Sequence, residues 1–205
     1  MVIVQSYAVA VVMCVVTMLC WGSWANTQKL ASKEWKFQLF YWDYALGVLL
    51  LALIFAFTLG SFGSMGRSFI PDLAQADSSA LGSAFLGGVI FNFANILIVV
   101  AIDIAGLAVA FPVGIGLALV IGVISNYLAV PVGNPVVLFA GVAFVVLAII
   151  LDSIAYKKLS GGEQKNTAKG LLFSVIGGIA MGFFYRFVAA SMSGNFVQPA
   201  AGKMT

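Results

Sequence analysis

Two asparagines interrupt one of the most apolar stretches of the sequence, GGVIFNFANIL. Asn92 and Asn95 are three residues apart, so on a helix both amides lie on the same side as Gly88. An amide buried in hydrocarbon is strongly unfavourable unless it is hydrogen-bonded. The pair can hold neighbouring helices together or bind an uncharged polar solute, and two amides on one glycine-backed face favour solute binding.

A carboxylate lies among aromatic residues in the segment FYWDY. Aromatic neighbours exclude water and disfavour a charged group, so Asp43 is a candidate for proton coupling. The alternative is a favourable negative charge at the start of a helix. Asp103 and Asp152 also stand near the ends of apolar runs, and a proton-carrying role is less favoured for them.

Helix-breaking residues cluster in a second apolar stretch, AFPVGIGLALVIGVISNYL. Inside a membrane, glycine lets helices approach closely, and a proline kink is tolerated where neighbouring groups satisfy the backbone. Pro112, Gly114 and Gly116 therefore predict either tight helix packing or a broken or kinked helix that lines a solute pathway. The residue types alone leave both interpretations open.

Two aromatic side chains complete the candidate solute-binding set. Trp24 belongs to an aromatic cluster that closes the first apolar run and opens the second. Tyr185 follows Gly178 and Gly182 in the segment IGGIAMGFFYRF, where the glycines form a face of small residues. That glycine face is typical of a helix that meets other helices closely.

The composition decides where these residues must be positioned. Hydrophobic residues make up 62% of the 205 residues and charged residues only 8%, whereas soluble domains carry about 25% charged residues. Apolar runs of about 20 residues cross a bilayer as helices. Six such runs are present, so we predict an all-α integral membrane protein with six transmembrane helices: Tyr7–Ala25, Phe40–Leu59, Leu81–Ala101, Gly106–Leu128, Val136–Ala155 and Gly170–Ser191.

Several classes of function lack the residues that they require. The chain contains no histidine, and its apolar runs hold no serine–histidine or paired-carboxylate set for catalysis. Cys14 and Cys20 resemble small apolar packing residues more than a metal or disulfide site. The net charge of +3 is too small and scattered to indicate nucleic acid. We expect a protein that is not an enzyme and that uses no cofactor or metal.

Basic residues predict the orientation, because cytoplasmic loops are enriched in lysine and arginine. The loops after the first and fifth runs carry Lys29, Lys33, Lys36, Lys157, Lys158, Lys165 and Lys169. The opposite side has only Arg67 and Lys203. The prediction is a multi-pass protein of the cell (plasma) membrane with its N-terminus outside.

The polar segment 157–169 is the best boundary in the chain. It divides a five-helix first repeat, residues 1–156, from residues 170–205, which are interpreted as the first helix of an inverted second repeat. An incomplete second repeat leaves few helices within the chain for the glycine face of the sixth run to meet. We therefore expect the chain to form a homodimer or to lack a C-terminal half.

Short elements follow one another in a recognisable order: Gly22–Trp24, Trp42–Tyr44, Thr58–Gly60, Gly87–Gly88, Asn95, Gly106–Leu107 and Asn126–Tyr127. In this order and spacing, the sequence from about Cys14 to Tyr127 resembles the ureide permease family of the drug/metabolite transporter superfamily. The bacterial glucose/rhamnose transporters are more distantly similar. By this resemblance Asp43, Asn95 and Asn126 are candidate site residues.

The resemblance implies ten spans in two inverted repeats, and proton-driven uptake of neutral nitrogen-rich heterocycles such as allantoin or uracil. This chain departs from it in having six spans and a short central loop without the nucleotide-like motif of the plant members. The leading hypothesis is a secondary active transporter, a proton symporter for small neutral solutes in the lipid bilayer. A sugar or drug/metabolite permease of the same superfamily, or a small oligomerising channel or carrier subunit, is the alternative.

Overall fold

The computed structural model describes residues 1–31, 33–159 and 167–205. Across these ranges the chain forms seven α-helices: α1 (Tyr7–Ala31), α2 (Phe37–Phe57), α3 (Phe69–Gln75), α4 (Ser78–Ala105), α5 (Leu107–Ala129), α6 (Pro135–Leu159) and α7 (Thr167–Ser191). All but the short α3 are long and apolar enough to cross a membrane. The predicted all-α membrane protein with six candidate spans is confirmed.

Several helix ends differ from the prediction by a few residues, and two of them lie further along the chain because polar residues continue the helices. The first helix runs on to Ala31, and α4 continues through Asp103 to Ala105. Gly106 alone links α4 to α5, and its φ of +83° is one that residues other than glycine rarely adopt. This one-residue link turns the chain sharply, so α4 and α5 form an antiparallel hairpin.

The chain divides into two compact units, residues 1–80 with 192–205 and residues 81–191. In the first unit, α1 and α2 are antiparallel. At one end the Val2 amide donates to the Leu59 carbonyl, with an N···O distance of 2.8 Å. At the other end, Trp24 of α1 stacks on Tyr44 of α2. The two helices thus present Trp24 and the start of α2 at the same end of this unit.

The segment after α7, residues 192–205, is held by hydrogen bonds to Arg67 and to Asp72 of α3 within the first unit. The Arg67 guanidinium is 2.9 Å from an Asp72 carboxylate oxygen and also donates to the Lys203 carbonyl at 2.6 Å. The other Asp72 oxygen accepts the Thr205 amide at 2.7 Å. The N-terminal ammonium donates to the Met65 carbonyl at 2.6 Å. The N-terminus, the α2–α3 loop and the final segment therefore lie at the same end of this unit.

Glycines bring α7 into direct contact with α4 and α5 in the second unit. A Cβ placed on Gly177 would lie 3.1 Å from the Ala94 carbonyl oxygen of α4. A Cβ on Gly178 would lie 2.5 Å from the Gly114 carbonyl oxygen of α5, and one on Gly182 would lie 2.7 Å from Ile121. Backbones this close leave no room for a side chain.

These contacts correct one expectation. The glycine face of the sixth run was predicted to find few partners within the chain, yet α5 covers Gly178 and Gly182. That expectation fails because α7 packs with the helices of the preceding runs. The argument for dimerisation from an uncovered glycine face therefore does not hold.

The fourth run forms one continuous helix. The helix α5 continues without interruption through Pro112. Gly114 faces Ile98 of α4, and a Cβ on Gly116 would collide with Ile149 of α6. Close packing therefore explains the two glycines, and α5 is not broken, while a kink at Pro112 stays a prediction. Whether this helix lines a pathway stays a prediction.

The predicted boundary at residues 157–169 falls partly outside the described residues, which stop at 159 and resume at 167. The compact units group α7 with α4 to α6, so they do not follow the division at this boundary. The division into 1–156 and 170–205 concerns an inverted repeat, and it stays a prediction.

The orientation can be tested by cysteine labelling. Cys14 and Cys20 are free and exposed, so alanine at both should give a folded cysteine-free background. With a membrane-impermeant maleimide, cysteine at position 33 should react only from the cytoplasmic side and cysteine at position 77 only from outside. Labelling of position 33 in intact cells would reverse the orientation derived from loop charge.

Candidate functional site

Asn95 is the most deeply buried of the predicted solute-binding residues. Its side chain is 3% exposed, and its Nδ2 atom has no hydrogen-bond partner. It lies on α4 beside Ala94 and one turn before Ile98, both of which contact Gly177 of α7. The close approach of α7 thus buries this part of α4, and the Asn95 amide donor lies inside the second unit.

Asn92 differs from Asn95 although the two are three residues apart. Asn92 is exposed, whereas Asn95 is buried. A separation of three residues rotates the side chain by about 60° around the helix, which is enough to move it past the edge of the packed face. The structure therefore does not bury the two amides as one pair.

Two serines that the sequence analysis did not consider are also buried with unpartnered hydroxyls. Ser125 on α5 is 7% exposed and Ser174 on α7 is 0% exposed, and neither Oγ has a hydrogen-bond partner. Serines in membrane helices commonly bond to the carbonyl four residues earlier. The sequence carried no signal for them, because that local bond is the default expectation.

In the first unit, aromatic rings connect the end of α1 to the start of α2. Trp24 is half-buried and stacks on Tyr44 with ring centroids 5.5 Å apart and planes at 29°. Tyr41 and Tyr44 are 5.8 Å apart. Asp43 lies beside Tyr44 in the chain, and its own side chain is exposed.

Gln28 is a further polar residue that the sequence analysis missed. It follows Trp24 by one helical turn, is only 4% exposed, and its Oε1 atom has no partner. The signal that could have found it is the four-residue spacing from Trp24, which places both side chains on one face of α1.

The remaining predicted site residues lie on different helices of the second unit. Asn126 is half-buried near the end of α5, and its carbonyl accepts the Val130 amide that closes the helix. Tyr185 is 48% exposed on α7, with its ring 6.4 Å from that of Phe184. Pro112 is half-buried, and Gly114 and Gly116 are buried.

Comparison with known proteins resolves the family. The profile of the ureide permease family matches residues 40–174, well over half of the chain. Ureide permease 2 and ureide permease 1 of Arabidopsis thaliana are each 30% identical to the chain over 77% of its length. The chain belongs to the ureide permease family. No solved structure is significantly similar to it.

The chain spans less than the full length of its ureide permease relatives. It covers 41% of ureide permeases 1 and 2, and 50% of ureide permease 3 of the same plant. The region that matches the family profile includes Asp43, Asn95 and Asn126, but not Trp24 or Tyr185. Membership of this permease family, together with six apolar helices, indicates a multi-pass membrane protein.

Proposed function

We propose that this chain forms the core of a secondary active transporter for small neutral polar solutes, with ureides and nucleobases as the substrate class. The observation that carries the proposal is the buried Nδ2 atom of Asn95, which has no partner. A buried donor without an acceptor costs about 1–3 kcal/mol. A bound solute with a carbonyl oxygen would remove that cost, and ureides and nucleobases carry carbonyls.

The charge of the buried groups supports a neutral solute. The buried polar side chains of the second unit within the described residues are Asn95, Ser125, Ser174 and Ser191, and none of them is ionisable. A charged substrate would need an opposite charge in such an interior. Amide and hydroxyl groups instead match uncharged N–H and C=O groups.

The names of the relatives and the length of the chain shape the rest of the proposal. The relatives are named ureide permeases, which supports ureides as the substrate class. The chain spans at most half of the listed relatives' length. It resides in the plasma membrane with the N-terminus outside.

Uptake by the purified protein in proteoliposomes tests the function. We expect accumulation of radiolabelled allantoin or uracil above that of empty liposomes, and no accumulation of glucose. Accumulation of glucose but of neither heterocycle would replace the proposal with a sugar permease. Equal leakage of all three solutes would indicate a channel.

Proton coupling through Asp43 belongs to the same proposal. Asp43 lies between Trp42 and Tyr44 in the second turn of α2, and an aspartate among aromatic residues is a suitable proton carrier. Asp43→Asn should abolish accumulation driven by a pH gradient but preserve counterflow exchange of substrate, because exchange needs no net proton movement. Asp103→Asn, which removes another exposed carboxylate, is the matched control. Unchanged pH-driven accumulation in Asp43→Asn would assign Asp43 to a purely structural role.

A further inference from the structure

We propose that Gln28 accepts a hydrogen bond from a ring N–H of a planar neutral heterocycle stacked against Trp24. This inference rests on the proposed function and adds a recognition site in the first unit. Gln28 lies outside the region that matches the family profile, which begins at residue 40.

The burial of Gln28 is the first observation. Within α1 the buried residues are Ala25 and Gln28, at 1% and 4% exposure. The rest of α1 is largely exposed, as expected for a helix whose surface faces lipid. A glutamine buried at such a place, with an oxygen that no donor reaches, is unfavourable unless something else supplies a donor.

The neighbouring aromatic rings are the second, independent observation. Trp24 precedes Gln28 by one turn, and its indole stacks on the Tyr44 ring while remaining only half-buried. The accessible part of a rigid indole is a surface on which a flat ring can stack. Together with an acceptor one turn away, it suits a flat ring with an N–H at its edge, as uracil has.

Methylated uracil separates this hydrogen bond from stacking alone. Uracil has two ring N–H groups, and 1,3-dimethyluracil keeps the ring and carbonyls but has none. Binding can be followed by the fluorescence of Trp24 after Trp21, Trp35 and Trp42, all exposed, are replaced by phenylalanine. We expect uracil to quench the fluorescence of Trp24 and to bind about tenfold more tightly than 1,3-dimethyluracil, because only uracil can donate a hydrogen bond to the buried acceptor.

The substitution Gln28→Met removes the acceptor at nearly constant length. It should reduce uracil affinity about tenfold, to the level of 1,3-dimethyluracil, and leave the affinity for 1,3-dimethyluracil almost unchanged. Gln38→Met makes the same change at an exposed glutamine of α2 and should have no effect. Persistent preference for uracil in Gln28→Met would overturn the proposal, since the preference for a ring N–H would then come from a group other than Gln28.

The two affinities measured with native Gln28 test the hydrogen bond even if Gln28→Met does not fold. Equal affinities for uracil and 1,3-dimethyluracil in the protein with native Gln28 would exclude the hydrogen bond. Uptake of uracil without quenching of Trp24 would refute this site and leave the transport function standing. Quenching of Trp24 by uracil without uptake of any solute would support this site and refute the transport function.

Discussion

Asn95→Leu is expected to reduce uptake about tenfold to hundredfold at low substrate concentration while leaving the protein at least as stable as the wild type. The Nδ2 atom of Asn95 has no partner in the folded chain. Leucine is similar in size to asparagine, so the packing around position 95 is preserved. The substitution breaks no hydrogen bond from Nδ2, and it removes a buried unpaired donor whose presence costs about 1–3 kcal/mol. The variant should therefore lose uptake because the substrate carbonyl has lost its hydrogen-bond donor, and not because the folded protein is less stable.

The measurement compares initial uptake rates with thermal unfolding of the purified variants. Asn26→Leu, at an exposed asparagine of α1, is the matched control and should change neither quantity. If Asn95→Leu lowers the unfolding temperature and uptake together, the amide holds helices together. Normal uptake with normal stability would remove Asn95 from the site altogether.

Gly178→Ala is expected to destabilise the folded protein by at least about 1–3 kcal/mol, the usual cost of forcing extra atoms into a packed interior. The added Cβ would lie 2.5 Å from the Gly114 carbonyl oxygen and 3.1 Å from the Leu117 Cβ. A carbonyl oxygen is fixed by its helix, so α5 and α7 must separate along their length. Gly178→Leu should prevent recovery of monodisperse protein.

Gly141→Ala provides the control for helix propensity. Gly141 lies in α6 with no atom within 4 Å of an added Cβ, and alanine favours a helix over glycine by about 1 kcal/mol. The control should therefore be neutral or more stable in thermal unfolding. Equal unfolding temperatures for Gly178→Ala and Gly141→Ala would contradict the close contact between α5 and α7.

The number and type of the helices could be predicted from the sequence alone. A bilayer requires about 20 apolar residues with their backbone hydrogen bonds satisfied internally, and each run that met this condition became a helix. The family could also be inferred from short ordered elements such as Trp42–Tyr44 and Asn126–Tyr127. Neither inference depends on which helix contacts which.

Only the tertiary structure decided which side chains are buried. In a soluble protein the apolar face of a helix identifies its buried side, but here the lipid-facing and packed faces are equally apolar, so sequence could not separate them. Asn92 and Asn95 therefore looked equivalent, and Gln28 went unnoticed. The packing of α7 against α4 and α5 left Asn95 buried and Asn92 exposed, because burial is set by helices distant in sequence and the glycines that allow them to approach.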